Sequence, residues 1–380
     1  MSDAIPFKNL LSGPNAFYKD INYDFLSKKE MQEKRAIKTL CYSYNTEHVL
    51  WRVTKLVLSI ICFPVIIFHC LHILAAKFAI IPASSPFLFS ENSTLLKNDL
   101  RNIPLDKNWK IKRFSIKVDG ITIDAAIMGK EQNLGNGKWL LYSGGNGEFY
   151  EQKLKNRNFK NFLEDLNCNT LVFNYPGVGC STGFPHKKAI IKAYKAMLQF
   201  LEDDSMGVGA KQIIGYGFSI GAAIQANALN KHSFKKDIDY VFIKSKTFSS
   251  LSKIAGTLIP IAGWLAIKIL GWNLNTFDSS IKLNYPEIII QTANVDEPQE
   301  IENNPSLICD DGIITNNTSL AKAALNNKTF INKKIFIGVS ENHNQEIKNY
   351  TLIINKINQC LKHNQPITNK KNLENLNIAA

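Results

Sequence analysis

The most constraining feature of this chain is an alternation that begins at Lys110. Short apolar runs lie at residues 113–118, 121–128, 139–142, 170–174, 212–216, 240–243, 287–291 and 334–339, and stretches of helical length such as 148–166, 187–202 and 219–230 separate most of them. The first two runs flank Asp119-Gly120, a pair suited to a two-residue hairpin turn. An opening hairpin followed by repeated strand–helix units predicts an α/β fold, a mostly parallel sheet with helices on both faces. The 380 residues allow one large domain with an appendage, or two domains. With 45% apolar and 20% charged residues the chain can bury a core, which excludes a wholly disordered, a collagen-like or a multi-span membrane protein.

The remainder divides around that domain. Residues 1–52 are polar and mixed in charge, and 27–38 reads as a short solvated helix. Residues 53–85 read as a membrane helix or hairpin. Within them, 56–76 (LVLSIICFPVIIFHCLHILAA) carries no formal charge and lies between Lys55 and Lys77. At about 1.5 Å per residue, that run is about one hydrocarbon thickness long, about 30 Å. The competing reading is a buried helix packed on the main domain. The α/β domain is expected over 110–365, and 366–380 forms a loose polar tail. The net charge of +13 suits an anionic membrane surface or a nucleic acid. The basic residues are scattered and interleave with no base-stacking aromatics, so no nucleic-acid partner is expected. Seven cysteines, an odd number without a C-x-x-C pair, predict neither a disulfide framework nor a zinc site, and favour a reducing compartment.

The chemistry begins at Gly217-Phe218-Ser219-Ile220-Gly221, a G-x-S-x-G between an apolar run and the helix-prone 222–226. A sharp strand-to-helix turn of this kind lifts a serine hydroxyl above the sheet, and flanking side chains would clash, hence Gly217 and Gly221. The following helix also aims its free N–H groups at the reacting centre. Ser143-Gly144-Gly145-Asn146-Gly147 follows another strand. Acyl transfer needs two N–H donors at the developing oxyanion, here Ile220 and either Asn146 or Gly145. Other chemistries lack their signatures: the sequence holds no G-x-x-x-x-G-K-[ST], no H-E-x-x-H and no EF-hand loop. Neither a metal nor an organic cofactor is expected.

These motifs resemble those of α/β-hydrolases over residues 110–365. Residues 174–183 (NYPGVGCSTG) resemble the strand-four loop of that superfamily, with Pro176 where an arginine is customary. The apolar N-terminal run together with S-G-G-N-G, N-Y-P-G-V-G and G-x-S-x-G resembles most closely the chlamydial CHLPS 43 kDa proteins and the Legionella SidB proteins. The resemblance implies an α/β-hydrolase fold and a serine–acid–histidine triad but no substrate. The likeness to SidB further implies delivery into a host cell.

In this fold the triad runs serine, acid, histidine along the chain. Of seven histidines, only His343 directly follows a late strand, so it is the expected base. The acid should follow the strand at 287–291. Asp311, in Asp311-Gly312-Ile313-Ile314, leads, with Asp310, Asp296 and Glu297 as alternatives across a long connection. Residues 250–275 are expected to form an apolar cap over the site, favouring greasy substrates. The sequence therefore predicts a membrane-associated serine hydrolase. Ser219, Asp311 and His343 would cleave a carboxylic ester or thioester of a membrane lipid or an acylated protein. The rival is a catalytically silent scaffold tethered to a membrane.

Overall fold

The computed structural model describes residues 41–44, 50–51, 53–54, 57–58, 62–88, 108–327 except 135 and 206, and 334–363. The helix expected at 27–38 and the tail expected at 366–380 lie outside the described residues.

Each of the eight apolar runs forms a strand. The strands are β1 Cys41–Tyr42, β2 Trp109–Val118, β3 Ile121–Lys130, β4 Lys138–Ser143 and β5 Asn169–Phe173. They continue as β6 Gln212–Phe218, β7 Asp239–Ser245, β8 Glu287–Thr292, β9 Gln299–Glu300 and β10 Lys334–Val339. They make one sheet in the order β1-β2-β3-β5-β4-β6-β7-β8-β10-β9. From β5 across to β10 every neighbour is parallel. The β2–β3–β5 edge is antiparallel, as is β9 on β10. Asp119 and Gly120 both take positive φ, 48° and 86°, as a tight hairpin with the native strand twist requires. The two-residue β1 and β9 are too short to leave a pattern in the sequence.

The helices are α1 Phe63–Ala75, α2 Tyr150–Lys155, α3 Arg157–Asp165, α4 Lys187–Glu202 and α5 Ile220–Leu229, followed by α6 Leu251–Leu258, α7 Ala262–Ile269, α8 Thr276–Ile281, α9 Leu320–Leu325 and α10 Thr351–His363. One core lies between the sheet and α4 and α5, through Ile190, Tyr194, Met197, Ala223 and Ile224. A second lies on the opposite face with α3 and α10, through Phe159, Phe162, Ile353 and Ile357. Central strands covered on both faces read as continuous apolar runs rather than alternating ones, which is why they stand out in the sequence.

The run expected to cross a membrane is shorter as a helix than as a sequence. Pro64 sits in the first turn of α1, where its missing N–H costs nothing, and Cys62 before it is extended. Thirteen α-helical residues follow, and a π-helical stretch, Ala76–Ile80, carries the helix on into the domain. Among the described residues no helix is long and apolar enough to cross a membrane. α1 instead leans on the domain. His72 stacks on Trp272 with ring centroids 5.2 Å apart, and its Nδ1 lies 3.1 Å from the Leu270 carbonyl oxygen. Ala76, Ile80 and Ile81 then enter the first core.

Two buried polar clusters brace the sheet. Arg113 of β2 holds Asp124 of β3 through two 2.6 Å bonds, and Tyr150 donates to the same carboxylate at 3.1 Å. Glu151 lies 3.5 Å from Arg113 and accepts from Asn174 at 3.0 Å. Burial, and then the Asp124 carboxylate, push the Glu151 carboxyl up to about 7. The other cluster joins Glu287 to both Lys244 and Lys334, all three buried, with Ser280 donating to Glu287 at 2.6 Å. Burial holds both ammonium groups below the usual lysine range, Lys334 at about 8.

Candidate active site

β6 ends at Phe218 and α5 begins at Ile220, so the whole reversal falls on Ser219, at φ 53° and ψ −122°. A residue with a Cβ reaches positive φ only when its surroundings over-determine it. Here they do. The Ser219 N–H donates to Ser245 O at 2.9 Å, while Thr247 Oγ1 donates to Ser219 O at 2.8 Å. The flanking glycines are required by contact: a Cβ on Gly217 would lie 2.4 Å from Ala222 Cα, and one on Gly221 2.1 Å from Ser143 O.

Ser219 Oγ lies 3.0 Å from His343 Nε2, and His343 Nδ1 lies 2.8 Å from Asp311 Oδ2. Asp311 is buried, and its other oxygen accepts the N–H groups of Ile313 and Ile314 at 3.0 and 2.6 Å. Burial alone would push its carboxyl up. The hydrogen bond and charge of His343, with the two backbone donors, outweigh that and hold it below the usual carboxylate range. The backbone repeats the link, since the His343 N–H donates to Asp311 O at 2.8 Å.

The long connection before Asp311 is a closed excursion. The Cys309 N–H donates to Thr292 O at 3.2 Å, and Ala293 and Ile308 form a bridge. The chain thus leaves and rejoins the end of β8 at one point, and Asp311 follows directly. The alternative acids face elsewhere: Asp310 accepts the Asn316 N–H at 2.5 Å, and Glu297 accepts from Asn349 at 3.1 Å. Asp296 lies on the excursion, between Ala293 and Ile308.

The 143–147 loop borders the same centre. Tyr175 OH donates to Gly144 O at 2.8 Å, and Ser143 Oγ donates to Gly221 O at 2.9 Å, tying the loop to the start of α5. The Gly145 N–H donates to Glu148 Oε2 at 2.7 Å, which Tyr142 OH also reaches at 2.9 Å. Of the two loop donors, Gly145 is therefore engaged by a carboxylate, whereas Asn146 lies exposed at the cavity. Ile220 is the first residue of α5, where an N–H has no partner within the helix.

The cavity at Ser219 measures about 360 Å³ and is lined by Asn146, Glu148, Lys153, Lys246, Ile313 and His343 among others. Residues 250–275 do form two helices between β7 and β8, but none of them lines this cavity. The chain just beyond α7 meets α1 instead, through Leu270 and Trp272. The wall mixes charged groups with Phe218, Ile313, Ile347 and Tyr350, so its apolar part comes from these residues and not from the 250–275 segment.

Sequence reasoning missed Lys246. Its ammonium donates to Asn342 O at 2.6 Å and Gln345 O at 2.8 Å, bracketing His343. Burial pushes it down to about 8, against the opposing pull of Glu341 and Asp311. A lysine repeated two residues after Lys244, at the end of an apolar strand, was the available signal. Among the described residues no cluster of three or more His, Cys, Asp or Glu could hold a metal ion.

A serine on this elbow, in a mostly parallel sheet of this order, defines the α/β-hydrolase fold. The chain belongs to the family described as Chlamydia CHLPS protein (DUF818), whose profile matches residues 20–364. It is similar to the Arabidopsis thaliana alpha/beta hydrolase domain-containing protein WAV2, 32% identical over 102 residues, 27% of this chain and 32% of that protein. It is also similar to the Caenorhabditis elegans alpha/beta hydrolase domain-containing protein aho-3, 43% identical over 56 residues, 15% of this chain and 17% of that protein. The chain thus spans a third or less of the length of these relatives. Similar solved structures include a Vibrio vulnificus alpha-beta hydrolase (16% identity, TM-score 0.49, covering 73% of this chain and 94% of that one). A Pyrococcus furiosus esterase is another (16% identity, TM-score 0.48, covering 67% and 91%).

Proposed function

We propose that this protein is a serine hydrolase that cleaves a carboxylic ester or thioester presented at a membrane surface. The observation that carries the reading is the bonded chain Ser219 Oγ, His343 Nε2, His343 Nδ1, Asp311 Oδ2, with separations of 3.0 and 2.8 Å. Ser219 attacks the acyl carbon while His343 takes its proton at Nε2 and later delivers it to the leaving oxygen or sulfur. Asp311 stays ionised, fixes the Nδ1–H tautomer and offsets the imidazolium charge. The N–H groups of Ile220 and Asn146 receive the oxyanion, and removing one such donor costs about 2.7–4 kcal/mol. Water at the acyl carbon, deprotonated by His343, then frees Ser219.

One observation favours a second reading, a silent scaffold: the Glu148 carboxylate accepts the Gly145 N–H, a negative charge beside the expected oxyanion donors. Fluorophosphonate labelling of the full chain beside Ser219→Ala and His343→Ala separates the two. Labelling that needs both residues supports an activated serine. A folded wild-type chain that takes no label refutes the hydrolase and leaves the scaffold.

A further inference from the structure

We propose that the protein docks on an anionic lipid bilayer through α1 and the α6–α7 hairpin, lying in the interface rather than crossing it. The proposal rests on the membrane-presented substrate above and specifies how the membrane is met. α1 is apolar all round, a pattern ordinarily found enclosed. Here it is covered on one side only, and Ile66, Ile67, Phe68, Leu71 and Leu74 are exposed. The α6–α7 turn likewise exposes Leu258, Ile259, Ile261, Trp264 and Leu265, with Leu258 and Ile261 each 77% accessible. The two surfaces are continuous, because His72 of α1 meets Leu270 and Trp272 just beyond α7. An apolar patch of this extent marks an interaction face.

Charge selects the occupant. Segments 62–88, 183–188 and 250–275, which build this face and its rim, hold five Lys and no Asp or Glu. A second copy would bring the same uncompensated cations. An anionic bilayer answers both features, its acyl region taking the aliphatic side chains and its phosphates the lysines. A groove of about 670 Å³ between α1 and 183–188, walled by Phe68, Ile73, Phe184 and Pro185 with Lys77 and Lys188 at its edge, opens beside the same face. Past α1 the chain turns inward at Ile80 and Ile81, and the Ala83 N–H donates to Asn146 O at 3.3 Å. The docking face is therefore fastened to the loop that borders Ser219.

The test is co-sedimentation of full-length Ser219→Ala with phosphatidylcholine vesicles, with and without phosphatidylglycerol. The expected result is binding that needs phosphatidylglycerol and weakens as ionic strength rises. Both Leu258→Asp/Ile261→Asp and Ile67→Asp/Leu71→Asp, shown folded by their melting curves, should weaken it by about tenfold. Absence of binding, equal binding to both vesicle types, or binding untouched by both double variants would overturn the proposal. So would a lipid-free dimer that the same substitutions dissolve. Fluorophosphonate labelling of the wild-type chain without lipid keeps the two readings apart. Labelling without vesicle binding sinks the docking face alone, and vesicle binding without labelling sinks the hydrolase alone.

Discussion

Replacing Asp311 by asparagine probes the proposed triad without dismantling its frame. Asp311 Oδ1 accepts two backbone N–H groups, from Ile313 and Ile314. An asparagine keeps both only with its carbonyl oxygen in that position. Its NH₂ then takes the place of Oδ2, 2.8 Å from His343 Nδ1. Because NH₂ donates, Nδ1 must accept, and the ring proton moves to Nε2. Nε2 now points a proton at Ser219 Oγ, 3.0 Å away, and cannot take one. A histidine locked in the wrong tautomer lowers kcat by about 10⁴, or about 5.4 kcal/mol of barrier. With the turn's backbone bonds retained, the folding loss should stay within about 1.5–3 kcal/mol, the range for a hydrogen bond to a charged group. Steady-state hydrolysis of an activated nitrophenyl ester, with thermal melts of the same samples, reads both quantities. A folded variant that loses less than about tenfold in kcat refutes the reasoning. His343 would then activate Ser219 without a carboxylate to fix its tautomer.

Gly221→Ala should force α5 away from β4, because the new Cβ meets two backbone oxygens, Ser143 O at 2.1 Å and Gly144 O at 2.5 Å. Urea denaturation should show a loss of about 1–3 kcal/mol, with kcat falling as the 143–147 loop shifts. Glu287→Gln strands two buried ammonium groups and should cost about 3–5 kcal/mol at neutral pH. That loss should shrink above pH 8, where Lys334 sheds its proton in the folded state, and an equal loss at both pH values would contradict the assignment. Glu151, raised to about 7 from 4.5, keeps its proton in the folded state at pH values where the unfolded chain has released it. Its contribution is therefore present below about 4.5 and lost as pH rises through about 7. The difference in unfolding free energy between wild type and Glu151→Gln should follow that slope, and a flat difference would count against it.

The strands were legible because helices cover the sheet on both faces, which turns β4 to β8 into uninterrupted apolar runs. Ser219 and His343 were legible for a local reason: each sits at or just past a strand end, in a stretch whose composition announces a turn. Asp311 could only be ranked first among four acids. The bond from the Cys309 N–H to Thr292 O, which brings it back to β8, joins residues that no short window contains. The place of α6 and α7 was illegible for a similar reason. An apolar run declares that it needs cover but not what supplies it, and here His72, nearly two hundred residues upstream, makes the contact. Lys246, Arg113 and Glu151 escaped notice because a charge is read as surface until a distant partner is known.

The pinned connection between β8 and Asp311 also bears on how such a protein can diversify. Where a strand end is the point of both departure and return, chain added on either side of β9, between Ala293 and Ile308, lengthens a tethered loop and leaves its anchors where they are. The entropy of closing such a loop rises only as the logarithm of its length. Relatives could therefore carry very different segments there, while the Asp311–His343–Ser219 hydrogen bonds keep their ångström-scale geometry.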